Sequence, residues 1–264
     1  MISFFASWRG RVVVALATVA LPASLAAQTI AQRIARADRP VQVVYPSRPS
    51  ACGDGRSYVG HVLGDRSYYE MGDGTYSRGG SRAECIHGPA RVLVTVIDGQ
   101  VTRLKAYVGP VPTNSDAETI TVTASDAASW LSSLIANDNS RVGSSAILPL
   151  VLADAPDPWP LLLRVARDDS RSMNLRREAL LWLGMGTVEH LGIEETGKDT
   201  PDDEMRTQAV FVLSQRPKAE SVPALMDLSR SAKYPSAKRS AIFWLGQTGD
   251  PRAADVFAEL LGLR

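Results

Sequence analysis

The sequence Ser240-Ala-Ile-Phe-Trp-Leu-Gly-Gln247 decides the fold, because other parts of the chain repeat its pattern. Two clear copies are Glu178-Ala-Leu-Leu-Trp-Leu-Gly-Met185 and Gln208-Ala-Val-Phe-Val-Leu-Ser-Gln215, and a weaker one is Ser145-Ala-Ile-Leu-Pro-Leu-Val-Leu152. We call this pattern the repeat motif. Its alanines at 179, 209 and 241 are 30 and 32 residues apart. A near-constant period of about 20–50 residues indicates a repeat array.

Each copy of the repeat motif has the spacing of a buried helix. In the first clear copy, Ala179, Leu180 and Leu183 share one face, while Leu181 and Trp182 cover the flanks. A helix that is apolar nearly all round must be packed between other elements. Second helices are predicted at 157–166, 219–228 and 251–260, so each unit is a helical hairpin that buries its apolar faces by stacking on the next.

Residues 236–261 resemble a bacterial HEAT repeat, with the Ala…Leu-Gly…Gly-Asp-Pro-Arg-Ala pattern of the short HEAT-like units also found in the phycobilin lyase family. The resemblance covers roughly residues 140–264. It implies a right-handed α-solenoid of about four repeats over 125–264, used as a binding scaffold. The unit near 172–200 is predicted to be degenerate, because residues 185–193 leave room for only a stunted second helix.

The first 27 residues have the pattern of an export signal. Arg9 and Arg11 precede the apolar run Val12–Leu21, and small residues precede Gln28, so cleavage is predicted after Ala26 or Ala27. An uncleaved membrane anchor is the alternative, but the apolar run is shorter than the roughly 20 residues needed to span a bilayer. The predicted location is therefore the periplasm or outside the cell, with membrane contact only through the signal.

The fold class predicted for the whole chain is α+β. Residues 28–50 read as a short helix and an extended linker, and residues 51–124 as a small β-rich module. The clearest hairpin joins Arg91–Ile97 to Gln100–Val108 through Asp98-Gly99, which is a strong hairpin turn signal. Glycine becomes sparse beyond residues 115–125, where helical spacing begins.

The two cysteines, Cys52 and Cys85, lie in this β-rich module. An oxidising compartment favours a disulfide between them. A zinc site with His61 and His87 is the alternative, but Cys52 and His61 are too far apart for the usual ligand pairing.

The sequence contains no recognisable catalytic or cofactor-binding motif. Net charge is +1, which gives no reason to expect nucleic-acid binding, and the three histidines lie in no known catalytic pattern. The leading hypothesis is an exported, non-enzymatic scaffold that binds a protein or peptide. Alternatives are a lyase-like or hydrolytic enzyme acting on a small molecule or chromophore, and a self-associating envelope protein. Candidate partner contacts are His190, Glu194, Glu195 and Trp159.

Overall fold

A computed structural model describes residues 25–56, 58–60, 69–70, 85–113, 115–137, 141–191 and 201–263. The strands are β1 Val41–Tyr45, β2 Cys52–Gly53, β3 Tyr58–Gly60, β4 Tyr69–Glu70, β5 Ala90–Ile97, β6 Gln100–Val108 and β7 Glu118–Thr121. The helices are α1 Leu25–Ala35, α2 Ala124–Asn137, α3 Arg141–Ser145, α4 Ile147–Leu152, α5 Trp159–Arg167, α6 Met173–His190, α7 Pro201–Ser214, α8 Lys218–Ser231, α9 Pro235–Gln247 and α10 Ala253–Leu260. No helix in these ranges is long and apolar enough to cross a membrane. The predicted signal peptide lies almost wholly outside the described residues.

The larger sheet has the strand order β6-β5-β1-β7, with β1 antiparallel to β5 and parallel to β7. Strand β1 is buried along its whole length. The prediction that residues 28–50 end in an extended linker is therefore wrong for 41–45. Its sequence, Val-Gln-Val-Val-Tyr, is rich in the β-branched and aromatic residues that favour strands, and this signal outweighs the prolines that follow.

The predicted hairpin is confirmed. Strands β5 and β6 pair antiparallel around Asp98 and Gly99, whose φ angles are 51° and 71°. Two consecutive residues with positive φ form a turn whose twist matches that of the flanking strands, which explains the Asp-Gly pair. This hairpin supplies two of the four strands of the larger sheet.

A smaller sheet, in the order β2-β3-β4, carries the disulfide. Cys52 and Cys85 are bonded, with their Cα atoms 5.1 Å apart, so the predicted disulfide is confirmed. The alternative zinc site is excluded, because neither sulfur is free to bind a metal. Next to the disulfide, two backbone hydrogen bonds between Gly53 and Ile86 also join the two segments.

One hydrophobic core joins the larger sheet to the helices, which makes the chain a mixed α and β structure. Ile30 and Ile34 of α1 are buried in it, as the four-residue spacing predicts. Tyr45 reaches from β1 into the helical part, where its hydroxyl donates a hydrogen bond to the carbonyl of Pro149 at 2.8 Å. Because Tyr45 is wholly buried, this bond fixes the sheet against α4.

The predicted second helices are present as α5, α8 and α10. The first clear copy of the repeat motif differs from its prediction, which assigned residues 185–193 to a stunted second helix. Helix α6 instead continues to His190. Residues 185–190, which were assigned to a stunted second helix, therefore belong to the first helix. Glycine lowers helix stability by only about 1 kcal/mol, which the packing of this buried helix outweighs.

The helical hairpins do not stack in chain order. Helix α9 packs against α6 as well as α7, and α10 contacts α5 as well as α8. Arg167 on α5 pairs with Asp255 on α10 at 2.7 Å, and Lys218 on α8 donates to the carbonyl of Thr248 at 2.7 Å. The last hairpin, α9 with α10, therefore lies between two earlier groups of helices. In the regular solenoid that the sequence predicts, each unit would contact only its neighbours in the chain.

Candidate protein-interaction surface

Helix α7 lies at one side of the helical stack, and the described part of the chain covers it on one face only. Its carboxyl group at Asp203 accepts hydrogen bonds from Ser236 at 2.8 Å and Arg206 at 2.9 Å. The Arg206 guanidinium in turn stacks over the ring of Tyr234, 3.9 Å from its centroid. These contacts attach the first turns of α7 to the start of α9.

Apolar packing continues along the same covered face. Val210 is buried, and the ring of Phe211 lies 5.1 Å from that of Trp244 on α9. Among the described residues of α7, Val210 is the one that is buried. The opposite face of the helix therefore lies in solvent.

That opposite face carries a row of apolar residues in solvent. Met205, Ala209 and Val212 follow one another at intervals of four and three residues, which places them along one side of a helix. All three are exposed, Met205 by 72% and Val212 by 57%. We call these three residues the α7 stripe. Single exposed apolar residues are ordinary, but a row at helical spacing is a feature of interaction surfaces.

The other two copies of the repeat motif bury the positions equivalent to Met205 and Ala209. Ala209 corresponds to Ala179 in α6 and Ala241 in α9, and both are fully buried. Met205 corresponds to Leu175 and Ala237, which are also buried. The prediction that every motif helix is packed between neighbours is therefore wrong for α7. Its position at the side of the stack leaves this face without a covering helix among the described residues.

The predicted contact residues do not form one site. His190 is the exposed last residue of α6, and Glu194 and Glu195 lie outside the described residues. Trp159 is only 6% exposed, so it is unavailable to a partner and the prediction for it is wrong. A Cβ added to Gly186 would lie 2.6 Å from the Trp159 indole, which shows how closely α6 packs against this ring.

Arg48 also lies over the Trp159 ring, with its guanidinium carbon 5.9 Å from the ring centroid. The same guanidinium donates to the carbonyl of Val151 at 2.6 Å and pairs with Asp157 at 2.7 Å. The segment that follows β1 is thereby fixed to α4 and α5. Trp159 and Arg48 therefore join the two parts of the fold.

A cleft of about 550 Å³ lies at the end of β1, lined by residues 44–49, 51, 87–89 and Thr121. Its histidine, His87, is held by a 3.0 Å contact between Nδ1 and the carbonyl oxygen of Ala51. The lining contains no carboxylate that could act with this imidazole as an acid–base pair. No cluster of three or more potential metal ligands occurs in the described ranges.

The signal that could have identified the α7 stripe is present in the sequence. At the fifth position of the repeat motif, α6 and α9 have Trp182 and Trp244, whereas α7 has Val212. This difference suits a helix with one uncovered face.

Comparison with known proteins identifies one segment of the chain. The model of the PBS lyase HEAT-like repeat matches residues 237–262, which span most of α9 and all of α10. No curated protein and no solved structure matches the chain. Residues 237–262 are therefore a HEAT-like repeat.

Proposed function

We propose that the protein is a non-enzymatic scaffold that binds a protein or peptide, and that the α7 stripe is its contact surface. The observation that carries the proposal is the exposure of Met205, Ala209 and Val212 on α7. Both sister helices bury the positions equivalent to Met205 and Ala209, and α6 also buries the position equivalent to Val212, at Trp182. Covering such a row removes apolar area from water, at about 25 cal/mol for each Å².

The surroundings of the stripe support this role. The covered face of α7 is fixed to α9 by Asp203, Arg206 and Phe211, so the stripe stands on a supported helix. A rigid surface loses little conformational entropy when a partner binds.

We further propose that the protein acts after export, in the periplasm or outside the cell. The disulfide between Cys52 and Cys85 supports this location, because structural disulfides persist in oxidising compartments. Export would place the partner among extracytoplasmic proteins.

Site-specific photo-crosslinking tests the proposed surface. A photoreactive amino acid at Ala209 is expected to form crosslinks to protein in living cells, because this position lies at the centre of the stripe. The matched control is the same amino acid at Asp227, an exposed position on α8. Equal crosslinking at both positions, or none at Ala209, would contradict the proposal.

A further inference from the structure

Charges flank the α7 stripe in a self-complementary order. Asp202, in the first turn of α7, has a side chain that is 78% exposed, and Arg216, just beyond the last turn, has one that is 63% exposed. Each lies seven residues from Ala209. Along the helix, an acidic residue, the apolar α7 stripe and a basic residue therefore follow one another, with Ala209 at the midpoint.

An antiparallel copy of the same helix matches this order. With a rise of about 1.5 Å per residue, Asp202 and Arg216 each lie about 10 Å along the axis from Ala209. A two-fold axis through Ala209 would place Asp202 beside Arg216 of the second copy, twice. Met205 would then lie near Val212 of the second copy, so apolar residues meet apolar ones.

The contacts that these charged residues make within one chain can be exchanged. Asp202 lies 3.5 Å from Arg206, and Arg216 lies 3.2 Å from Glu220. Both are surface ion pairs between groups four residues apart, and such pairs contribute at most about 0.5 kcal/mol. Arg206 also keeps its bond to Asp203 when Asp202 turns away.

Helices that carry the repeat motif already pack on one another within a single chain. Helix α9 packs against both α6 and α7, each of which carries a copy of the repeat motif. A second copy of the protein supplies a further motif helix with an equally uncovered face. Ala209 at the centre is small enough to let two helices approach closely.

We propose that the α7 stripe binds the α7 stripe of a second copy of this chain, with the two helices antiparallel and Ala209 at the two-fold axis. This inference rests on the proposed function, in that the stripe is an interaction surface, and it adds the identity of the partner. One helix on each side covers less than the roughly 800 Å² per partner of a standard stable interface, so the dimer is reversible.

Sedimentation equilibrium of the full chain over a range of concentrations tests the proposal. The mass of the wild-type protein is expected to rise from monomer to dimer, and Ala209→Asp is expected to weaken dimerisation about tenfold or more. Ala31→Asp, at an exposed position on α1, is the matched control and should dimerise as the wild type does. A monomer at every concentration, or an unaffected Ala209→Asp dimer, would overturn the inference.

A charge exchange tests the antiparallel arrangement. Asp202→Lys alone and Arg216→Glu alone each place like charges together twice, so each variant is expected to be mainly monomeric. An equal mixture restores both opposite-charge contacts, and a heterodimer is expected. Failure of the mixture to associate more strongly than either variant would exclude this pairing.

The two proposals fail in different ways. If the wild type is monomeric while Ala209 crosslinks to a different protein, self-association is wrong and the scaffold proposal stands. If the wild type is monomeric and Ala209 crosslinks to nothing, both are wrong. Crosslinks from Ala209 to α7 of a second copy, together with a concentration-dependent dimer, support both.

Discussion

Gly184 and Gly246 face each other where α6 crosses α9: a Cβ built on Gly184 would lie 3.7 Å from the Cα of Gly246. A Cβ on Gly246 would lie 3.1 Å from the carbonyl oxygen of Leu180. The two helices therefore approach closely because both copies of the repeat motif have glycine at the seventh position. This crossing joins residues that are distant in sequence and explains why glycine occurs inside α6.

Gly246→Ala is expected to destabilise the protein, because its methyl group would contact the backbone of α6. Overpacking of this kind costs about 1–3 kcal/mol, and the helix propensity gained from alanine offsets about 1 kcal/mol of it. Gly246→Val should be worse. Ser214→Ala, at the same motif position in α7, is the control and should change stability by less than about 0.5 kcal/mol. Equal midpoints of urea unfolding for Gly246→Val and the wild type would contradict the close crossing.

Ala241→Asp and Ala209→Asp are the same substitution at the same position of the repeat motif, in two environments. Ala241 is fully buried, so its replacement should cost about 3 kcal/mol or more. Ala209 is exposed, and its replacement should cost less than about 1 kcal/mol. Thermal unfolding at a concentration where the protein is monomeric measures both. Similar losses would show that the face of α7 is misassigned.

Glu178 should make stability depend on pH. Burial raises the pKa of this carboxyl group, while a 2.8 Å hydrogen bond from the indole of Trp182 partly opposes the rise. A carboxyl group with a raised folded pKa binds its proton more tightly in the native state. The stability that this group contributes to the folded state is present below the unfolded pKa of about 4.3 and is lost as pH rises through the folded pKa.

Glu178→Gln removes the loss of stability that accompanies ionisation of the carboxyl group, and it keeps an acceptor for the Trp182 indole. The variant is expected to be more stable than the wild type at neutral pH, with the difference shrinking as pH falls toward 4.3. Urea unfolding at several pH values measures the difference. A constant difference across that range would show that Glu178 has the same pKa in both states.

Replacing both cysteines by serine should lower stability by about 3–4 kcal/mol. Cys52 and Cys85 are 33 residues apart, and the estimate is the chain entropy that a crosslink of this length removes from the unfolded state. Urea unfolding of the double variant should agree with that of the wild type in reductant. Unfolding of the double variant at the wild-type midpoint would contradict the estimate.

Local sequence signals predicted the parts of the fold that depend on neighbouring residues. The Asp98-Gly99 turn and the helices after residue 140 follow from turn chemistry and apolar spacing, which act over a few positions. Strand β1 was missed although its residues favour a strand, because the prolines that follow it are typical of a linker and its two partners, β5 and β7, are distant in sequence. Spacing alone does not reveal which strands will pair.

The candidate surface was predicted only in part, for a related reason. The repeat motif correctly identifies α7 as a helix, and its equivalence to α6 and α9 suggests that it is buried. Burial depends on which helix comes to lie beside it, and α9 covers one face only. The substitution of valine for tryptophan at 212 is visible in the sequence, but its meaning emerges once the stacking order is known.

The position of the last hairpin has a consequence for how the chain folds during synthesis. Gly184 packs against Gly246, and Arg167 forms an ion pair with Asp255, which lies 88 residues later in the sequence. While the ribosome is still translating α9 and α10, α6 and α7 therefore have apolar surface with no native partner. We expect the helical half to become stable only after α9 and α10 have been synthesised, so a chain that stops before Pro235 would expose that surface to aggregation or proteolysis.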